Sequence, residues 1–280
     1  MRWFTRVLAG LLALVMVLLL GPVTLLLTGQ IAFEGNWSTA SHARARHLAP
    51  DPAATPEAVV QVYGARAFEW RGAFAMHTWI AVKPRHGGHW TSYEVQGWRR
   101  PTVRERQGYP DREWYGQPPQ LLGEVRGERA RQAIDELQRA ARRYPWAQTY
   151  RIWPGPNSNS FTAWMLRQAP QLSVEMPALA LGKDYLVDGS DRAARFMAPA
   201  PSGTGYQLSL FGLVGVMLAR EEGLEFNLLG LVFGIDPLDG AIKLPGWGRV
   251  TLIPALAEHA GVTPEPVSYT HLTLPTIYSV

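Results

Sequence analysis

The sequence predicts an α+β protein tied to a membrane by one N-terminal helix and ending in an antiparallel β meander. Three observations carry that expectation. Residues 7–27 form an apolar run without a charge, residues 58–98 contain three segments rich in β-branched and aromatic residues, and residues 206–246 alternate short apolar stretches with glycine-bearing breaks. An amphipathic helical pattern between the second and third regions supplies the α part.

At 1.5 Å per residue, Val7–Leu27 reaches about 30 Å, the thickness of the hydrocarbon core of a bilayer. Gly21 and Pro22 fall inside the run, where a membrane helix tolerates them. A secretory signal peptide has a shorter apolar core and a small-x-small cleavage site. The TGQIAFEG that follows Leu27 offers no such site, so residues 1–29 read as an uncleaved anchor with a cytoplasmic tip. Arg2, Arg6 and the terminal amine favour a cytoplasmic start. The bulk of the chain then lies on the periplasmic or extracytoplasmic side of the inner membrane. Arg44 and Arg46 follow the helix and suit an anionic lipid surface. Residues 30–56, small, polar and proline-rich over most of their length, predict a tether, and residues 57–266 a globular domain.

Within that domain AVVQVYGARAF, AFAMHTWIAVKP and TSYEVQGW read as three strands, the last two joined as a hairpin through RHGGH. In GERARQAIDELQRAARRYP, Ala130, Ile134, Leu137 and Ala141 fall on one helical face and Pro145 ends the pattern. AQTYRIW reads as a short strand, PGPN as a turn, and SNSFTAWMLRQAP as a second helix stopped by Pro170. Residues 171–205 show no period. Beyond Tyr206 the apolar stretches are too short to cross a bilayer as helices, and their breaks favour an antiparallel meander.

Composition limits the functions available. The net charge of +4 comes from arginines scattered among aromatic residues, without the basic stripe that nucleic-acid binding requires. The absence of cysteine excludes disulfides, zinc thiolates and a thiol nucleophile. No Gly-x-Gly-x-x-Gly, phosphate loop, His-Glu-x-x-His or Gly-x-Ser-x-Gly occurs, so no cofactor is expected. His86 and His89 flank a Gly-Gly turn and read as an exposed hairpin tip rather than a metal site.

Two local features are suited to chemistry. In WPGPNSNSF, a strand gives way to a turn and Asn157, Ser158 and Asn159 open a helix, whose free N–H groups are either capped by these side chains or hold an anion. In AFAMHTWIAV, alternation puts Phe74, Met76, Thr78, Ile80 and Val82 on one face and Ala75, His77, Trp79 and Ala81 on the other. His77 is then a packing residue or a tuned general base.

The segments HTWIAVKP, YEVQGW, YRIWPGPNSNSF, GKDYL, PSGTGYQLSLFGLVGV, EEGLEFNLLGLVFGIDP and IKLPGWGR resemble an uncharacterised bacterial family, domain of unknown function 3750, over about residues 58–250. A fainter likeness joins His77-Thr78-Trp79-Ile80-Ala81-Val82 and Asn157-Ser158-Asn159-Ser160-Phe161 to permuted papain-fold peptidases, which carry a His on such a strand and a Cys at such a helix start. That resemblance implies a papain-like core, His77 as base, Ser158 in the place of the Cys, and Glu94 or Gln96 to orient the His77 ring. It also leaves a binding domain in which Asn157, Asn159 and helix N–H groups hold a ligand without cleaving it. The functional expectation is therefore a membrane-anchored binding or structural domain of the envelope. The alternative is a Ser-His hydrolase or acyltransferase acting there on amide or ester bonds. Finally, VSYTHLTLPTIYSV from Val267 resembles a translated sequencing adaptor, and residues 267–280 are set apart as a non-native tail.

Overall fold

A computed structural model describes residues 2–31, 42–43, 47–186 and 196–259; the tail beyond Val267 lies outside the described residues. Helix α1 runs Arg2–Leu27, long and apolar enough to cross a membrane. Strands β1 (Val59–Arg66), β2 (Met76–Lys83), β3 (Thr91–Val95), β4 (Val103–Gln107) and β5 (Gln120–Arg126) form a five-stranded antiparallel sheet in the order β4-β3-β2-β1-β5. The hairpin read from RHGGH joins β2 to β3. Two strands escape the sequence pattern: VRERQ (β4) is an edge strand with Glu105 exposed and Arg106 half-buried beside Glu94, and QLLGEVR (β5) closes the other edge beside β1.

Both faces of this sheet are covered, as the near-continuous burial of β1 and β2 requires. On one face Val60, Val62, Ile80, Val82, Tyr93 and Val95 pack under α2 (Gly127–Arg142) and α3 (Ser158–Gln168). On the other, Val59, Tyr63, Trp79 and Trp90 meet Leu48, Ala49, Tyr109 and Trp114. Part of the segment read as a tether is therefore packed. Ala49 N–H donates to Asp111, Trp90 Nε1 donates to the Pro50 carbonyl, and the Lys83 ammonium is cradled by the carbonyls of Thr55, Glu57 and Pro84.

AQTYRIW is not a strand. The segment turns twice, Thr149 N–H on the Trp146 carbonyl and Arg151 N–H on that of Pro156. Its aromatic and β-branched residues, which suggested a pleated surface, instead line a cavity wall through Tyr150, Ile152 and Trp153.

The meander is present. β6 to β12 occupy Met197–Pro199, Gly205–Leu210, Val214–Ala219, Gly223–Leu228, Leu231–Asp236, Ala241–Leu244 and Gly248–Thr251, antiparallel throughout and ordered sequentially. A last helix, α4, covers Pro254–His259. The meander's alternation is inverted relative to a soluble sheet, in which apolar residues face inward. The side turned to the protein carries Gln207, Ser209, Glu225, Asn227 and Lys243, all buried. They close on the Lys183-Asp184 pair. Lys183 Nζ reaches Asp184 Oδ1 at 3.0 Å and Glu225 Oε2 at 2.7 Å, Lys243 Nζ reaches Glu225 Oε1 at 2.7 Å, Asn227 Nδ2 donates to Asp184 Oδ2, and Ser209 donates to the Asp184 carbonyl. Buried charges survive only when paired and hydrogen-bonded in this way.

Helix α1 is not free of the domain. Its stripe Leu18, Gly21, Pro22, Leu25 is buried. A Cβ built on Gly21 would stand 2.1 Å from the Pro245 carbonyl oxygen, so glycine is what permits the approach of the β11–β12 turn. Leu25 and Ile31 pack with Ala73 and Phe74 from a 3₁₀ turn over Glu69–Ala73. Arg66 fastens the same corner, donating to the carbonyls of Gly72 and Gly246.

Candidate functional site

Where β2 begins and α3 begins, the two sheets part around a cavity of about 860 Å³. Its walls are aromatic: Trp70, Phe74, Trp98, Trp114, Tyr150 and Trp153, with Leu229–Leu231 from the β9–β10 turn. Its polar residues are His77, Asn157, Ser158 and Asn159, together with Arg71 and Tyr115. The four residues singled out from the sequence thus meet on one cavity, which is the size and character of a site for a small organic ligand.

Asn157 is the N-cap of α3. Its Oδ1 accepts from the N–H groups of Asn159 and Ser160, while Ser160 Oγ accepts from the Asn157 N–H, which makes a capping box. Its Nδ2 donates to the carbonyls of Ile152 and Leu181. Asn159 Oδ1 accepts from Thr78 Oγ1 at 2.8 Å, and its Nδ2 donates to the carbonyls of Met76 and Leu181. The sequence expectation of ligand contacts from these two amides meets side chains whose donors and acceptors are already engaged. They pin α3 to β2 and to the Leu181 loop. Ser158, only 5 % exposed, is left with a hydroxyl that makes no hydrogen bond among the described residues.

His77 lies on the face of β2 that carries Trp79 and Ala81, as alternation predicts, and its ring stacks on Trp114 at 3.6 Å between centroids and 8° between planes. The β2–β3 register puts both Glu94 and Gln96 on this face of the sheet, and the side-chain contacts settle which of them meets the ring. Ala81 pairs with Ser92 and Ile80 with Tyr93, so Glu94 follows on the side of Ser92, and Glu94 Oε2 stands 3.4 Å from His77 Nε2. Gln96 instead donates to Glu94 Oε1. Thr78, bonded to Asn159, belongs to the opposite face, on which α3 packs. Ser158 and His77 therefore approach the cavity from the two sides of β2, and no hydrogen bond joins them.

Burial would raise the Glu94 carboxyl, but the His77 hydrogen bond and the charges of His77, Arg106 and Arg112 outweigh it and hold the group below the ordinary carboxylate range. A carboxylate whose folded pKa is depressed stabilises the fold above its unfolded value, and that contribution is lost as pH falls through the folded value. Glu94→Gln is therefore destabilising near neutrality, and its deficit against the unsubstituted protein shrinks as pH falls below about 4. Thermal unfolding of both proteins across that range measures it.

Sequence reasoning missed the aromatic wall. Trp70, Trp98, Trp114 and Tyr115 stand on loops and turns without periodicity; the available signal was 11 tryptophans, more than the predicted strands and helices use.

No curated protein and no solved structure matches the chain. The likeness to permuted papain-fold peptidases thus finds no counterpart among solved structures. Residues 57–185 match the model of a family described as Protein of unknown function (DUF3750). The match spans the first sheet, α2, α3 and the Lys183-Asp184 pair; the meander to which the motif likeness extended lies beyond it. The segment that builds the floor of the cavity belongs to the DUF3750 family.

Proposed function

We propose that this chain is a membrane-anchored binding protein whose cavity receives an amphiphilic molecule. The apolar portion lies against the tryptophans, and the polar end meets the Ser158 hydroxyl and the His77-Glu94 pair. The observation that carries this reading is the cavity itself: aromatic walls surround a small cluster of polar groups, one of which, Ser158, has hydrogen-bonding capacity unused by the protein. The Arg2 and Arg6 side of α1 is cytoplasmic in this reading, and the domain works at the extracytoplasmic surface of the membrane.

The test uses a single-chain fluorescent amphiphile, dansylaminoundecanoic acid, titrated into the purified full chain. Saturable enhancement of dansyl emission at one site is expected. Ala75→Trp, which places an indole in the cavity, lowers the affinity at least tenfold. Unsaturable, non-specific partitioning that is the same in both proteins overturns the reading.

A second reading is favoured by one feature, the free Ser158 hydroxyl sharing a cavity with a His that is braced by a carboxylate. In a Ser-His hydrolase or acyltransferase, His77 would leave its stack on Trp114 and the start of β2 would shift when substrate binds, so that His77 takes the Ser158 proton as an amide or ester carbonyl is attacked. A fluorophosphonate probe decides between the two. Labelling of Ser158 that disappears in His77→Ala establishes the hydrolase, whereas a chain that binds the dansyl amphiphile and resists the probe is a binding protein.

A further inference from the structure

The outer face of the meander is apolar without interruption. Strand register aligns Met197, Leu208, Val216, Phe226 and Phe233 in one row across five strands. Neighbouring rows carry Tyr206, Leu218, Leu224, Ile235, Ile242 and Val250, and then Leu210, Val214, Leu228 and Leu231. Tyr206 is the most polar of these residues, and the exposure is real, 67 % for Leu218 and 62 % for Tyr206. Seven strands at about 4.8 Å give a face roughly 30 Å wide. A soluble monomer does not leave an apolar surface of that extent to water.

Helix α1 indicates what covers it. The helix packs on β10 and on the β11–β12 turn of this same sheet. The packed stripe begins at Leu18, deep within the apolar run. The stretch before it, residues 3–17, extends only about 22 Å, short of the roughly 30 Å hydrocarbon core. A helix that crosses the bilayer therefore carries its last turns, and the sheet packed on them, below the outer membrane surface. Any face drawn to that depth must be apolar, because unpaired polar groups there are costly. The meander presents such a face, with Gln207, Ser209, Glu225, Asn227 and Lys243 turned inward to the Lys183-Asp184 cluster.

We infer that the outer face of β6–β12 is seated in the outer leaflet of the bilayer that α1 crosses, which makes the domain monotopic as well as anchored. The inference rests on reading α1 as a membrane helix. The cavity then opens beside lipid, since Phe74 both lines it and packs with the end of α1, and an amphiphile enters from the membrane rather than from water.

The chain has no cysteine, so single reporters can be placed without background. Leu208→Cys, Val214→Cys and Leu218→Cys, and Arg131→Cys on the exposed side of α2 as control, are each labelled with the fluorophore NBD. The full chain is reconstituted in phosphatidylcholine–phosphatidylglycerol vesicles. Lipids carrying nitroxide on the acyl chain are expected to quench the three meander labels several-fold more strongly than the Arg131→Cys label, and aqueous iodide to do the reverse. Iodide quenching of the meander labels equal to that of the control overturns the inference. So does protection from iodide without lipid quenching, together with disulfide cross-linking of Leu218→Cys between copies, since a second copy would then cover the face. Release of the chain by alkaline carbonate overturns the anchor and this inference together, and leaves the dansyl titration to judge the cavity independently.

Discussion

Glu225→Ala is expected to cost the protein 3–5 kcal/mol of stability, or to prevent folding, because it strands two buried ammonium groups at once. Glu225 Oε2 takes Lys183 Nζ and Oε1 takes Lys243 Nζ, each at 2.7 Å, and both lysines are 1 % exposed. Breaking a buried ion pair from one side costs about 3–5 kcal/mol, chiefly as the penalty of the charge left behind. Lys183 retains Asp184, and Lys243 retains Glu175 and the Glu222 carbonyl, which keeps the loss within that range. The direction of the titrations agrees. Burial disfavours the charged carboxylate, yet the two lysines hold Glu225 below the usual range and are themselves raised. Replacing Glu225, Lys183 and Lys243 together by methionine recovers only part of the loss, because Glu175 keeps Arg249 but the buried Asp184 is left with the amides of Gln207 and Asn227 in place of its cation. Denaturant unfolding of the single and triple variants, with unchanged m-values, measures both results.

Asn157→Ala is expected to destabilise the domain by roughly 3 kcal/mol and to weaken amphiphile binding in the same variant. The N-cap alone contributes about 1 kcal/mol. The substitution also leaves the part-buried carbonyl of Ile152 without its donor and removes one of two donors from the part-buried carbonyl of Leu181, each at the lower end of the about 1–3 kcal/mol that an unsatisfied group costs. For a domain of this size the combined loss lowers Tm on the order of 6–12 °C. Asn157→Asp separates the contributions, because it keeps the acceptor for the N–H groups of Asn159 and Ser160 but loses both donors. Its stability falls between those of the wild type and the alanine variant when the cap and the two donated bonds contribute independently. Differential scanning calorimetry, with the dansyl titration on the folded fraction, reads stability and binding side by side.

The sequence made some of this legible and withheld the rest for identifiable reasons. β1 and β2 announced themselves through β-branched residues, and α2 through its single apolar stripe. The start of α3 was marked by a capping residue at Asn157. β4 was hidden because an edge strand tolerates Arg104 and Arg106 on its pleat, and the packing of Leu48 and Ala49 was hidden because two short residues carry no period. Alternation in the meander was readable, but alternation separates two faces without saying which is inside. The polar face goes inward because Lys183 and Asp184, distant in sequence, are there to satisfy it. At the site, His77 and Ser158 could be picked out by residue type and local position. Register alone leaves both Glu94 and Gln96 on the His77 face, so only the side-chain contacts could choose Glu94 as the partner of His77, and only the fold could show that His77 and Ser158 reach the cavity from opposite sides of β2. Together these features place a braced histidine and a free serine on an aromatic cavity beside an apolar sheet.

Extracting the full chain from membranes in mild detergent and analysing its bound small molecules by native mass spectrometry shows whether this cavity holds an amphiphile. One apolar-chained molecule is expected per protein, lost in Ala75→Trp and retained in Arg131→Cys. A wild-type protein that leaves the membrane without such a molecule and then fails to take up the dansyl amphiphile would contradict amphiphile binding by this cavity.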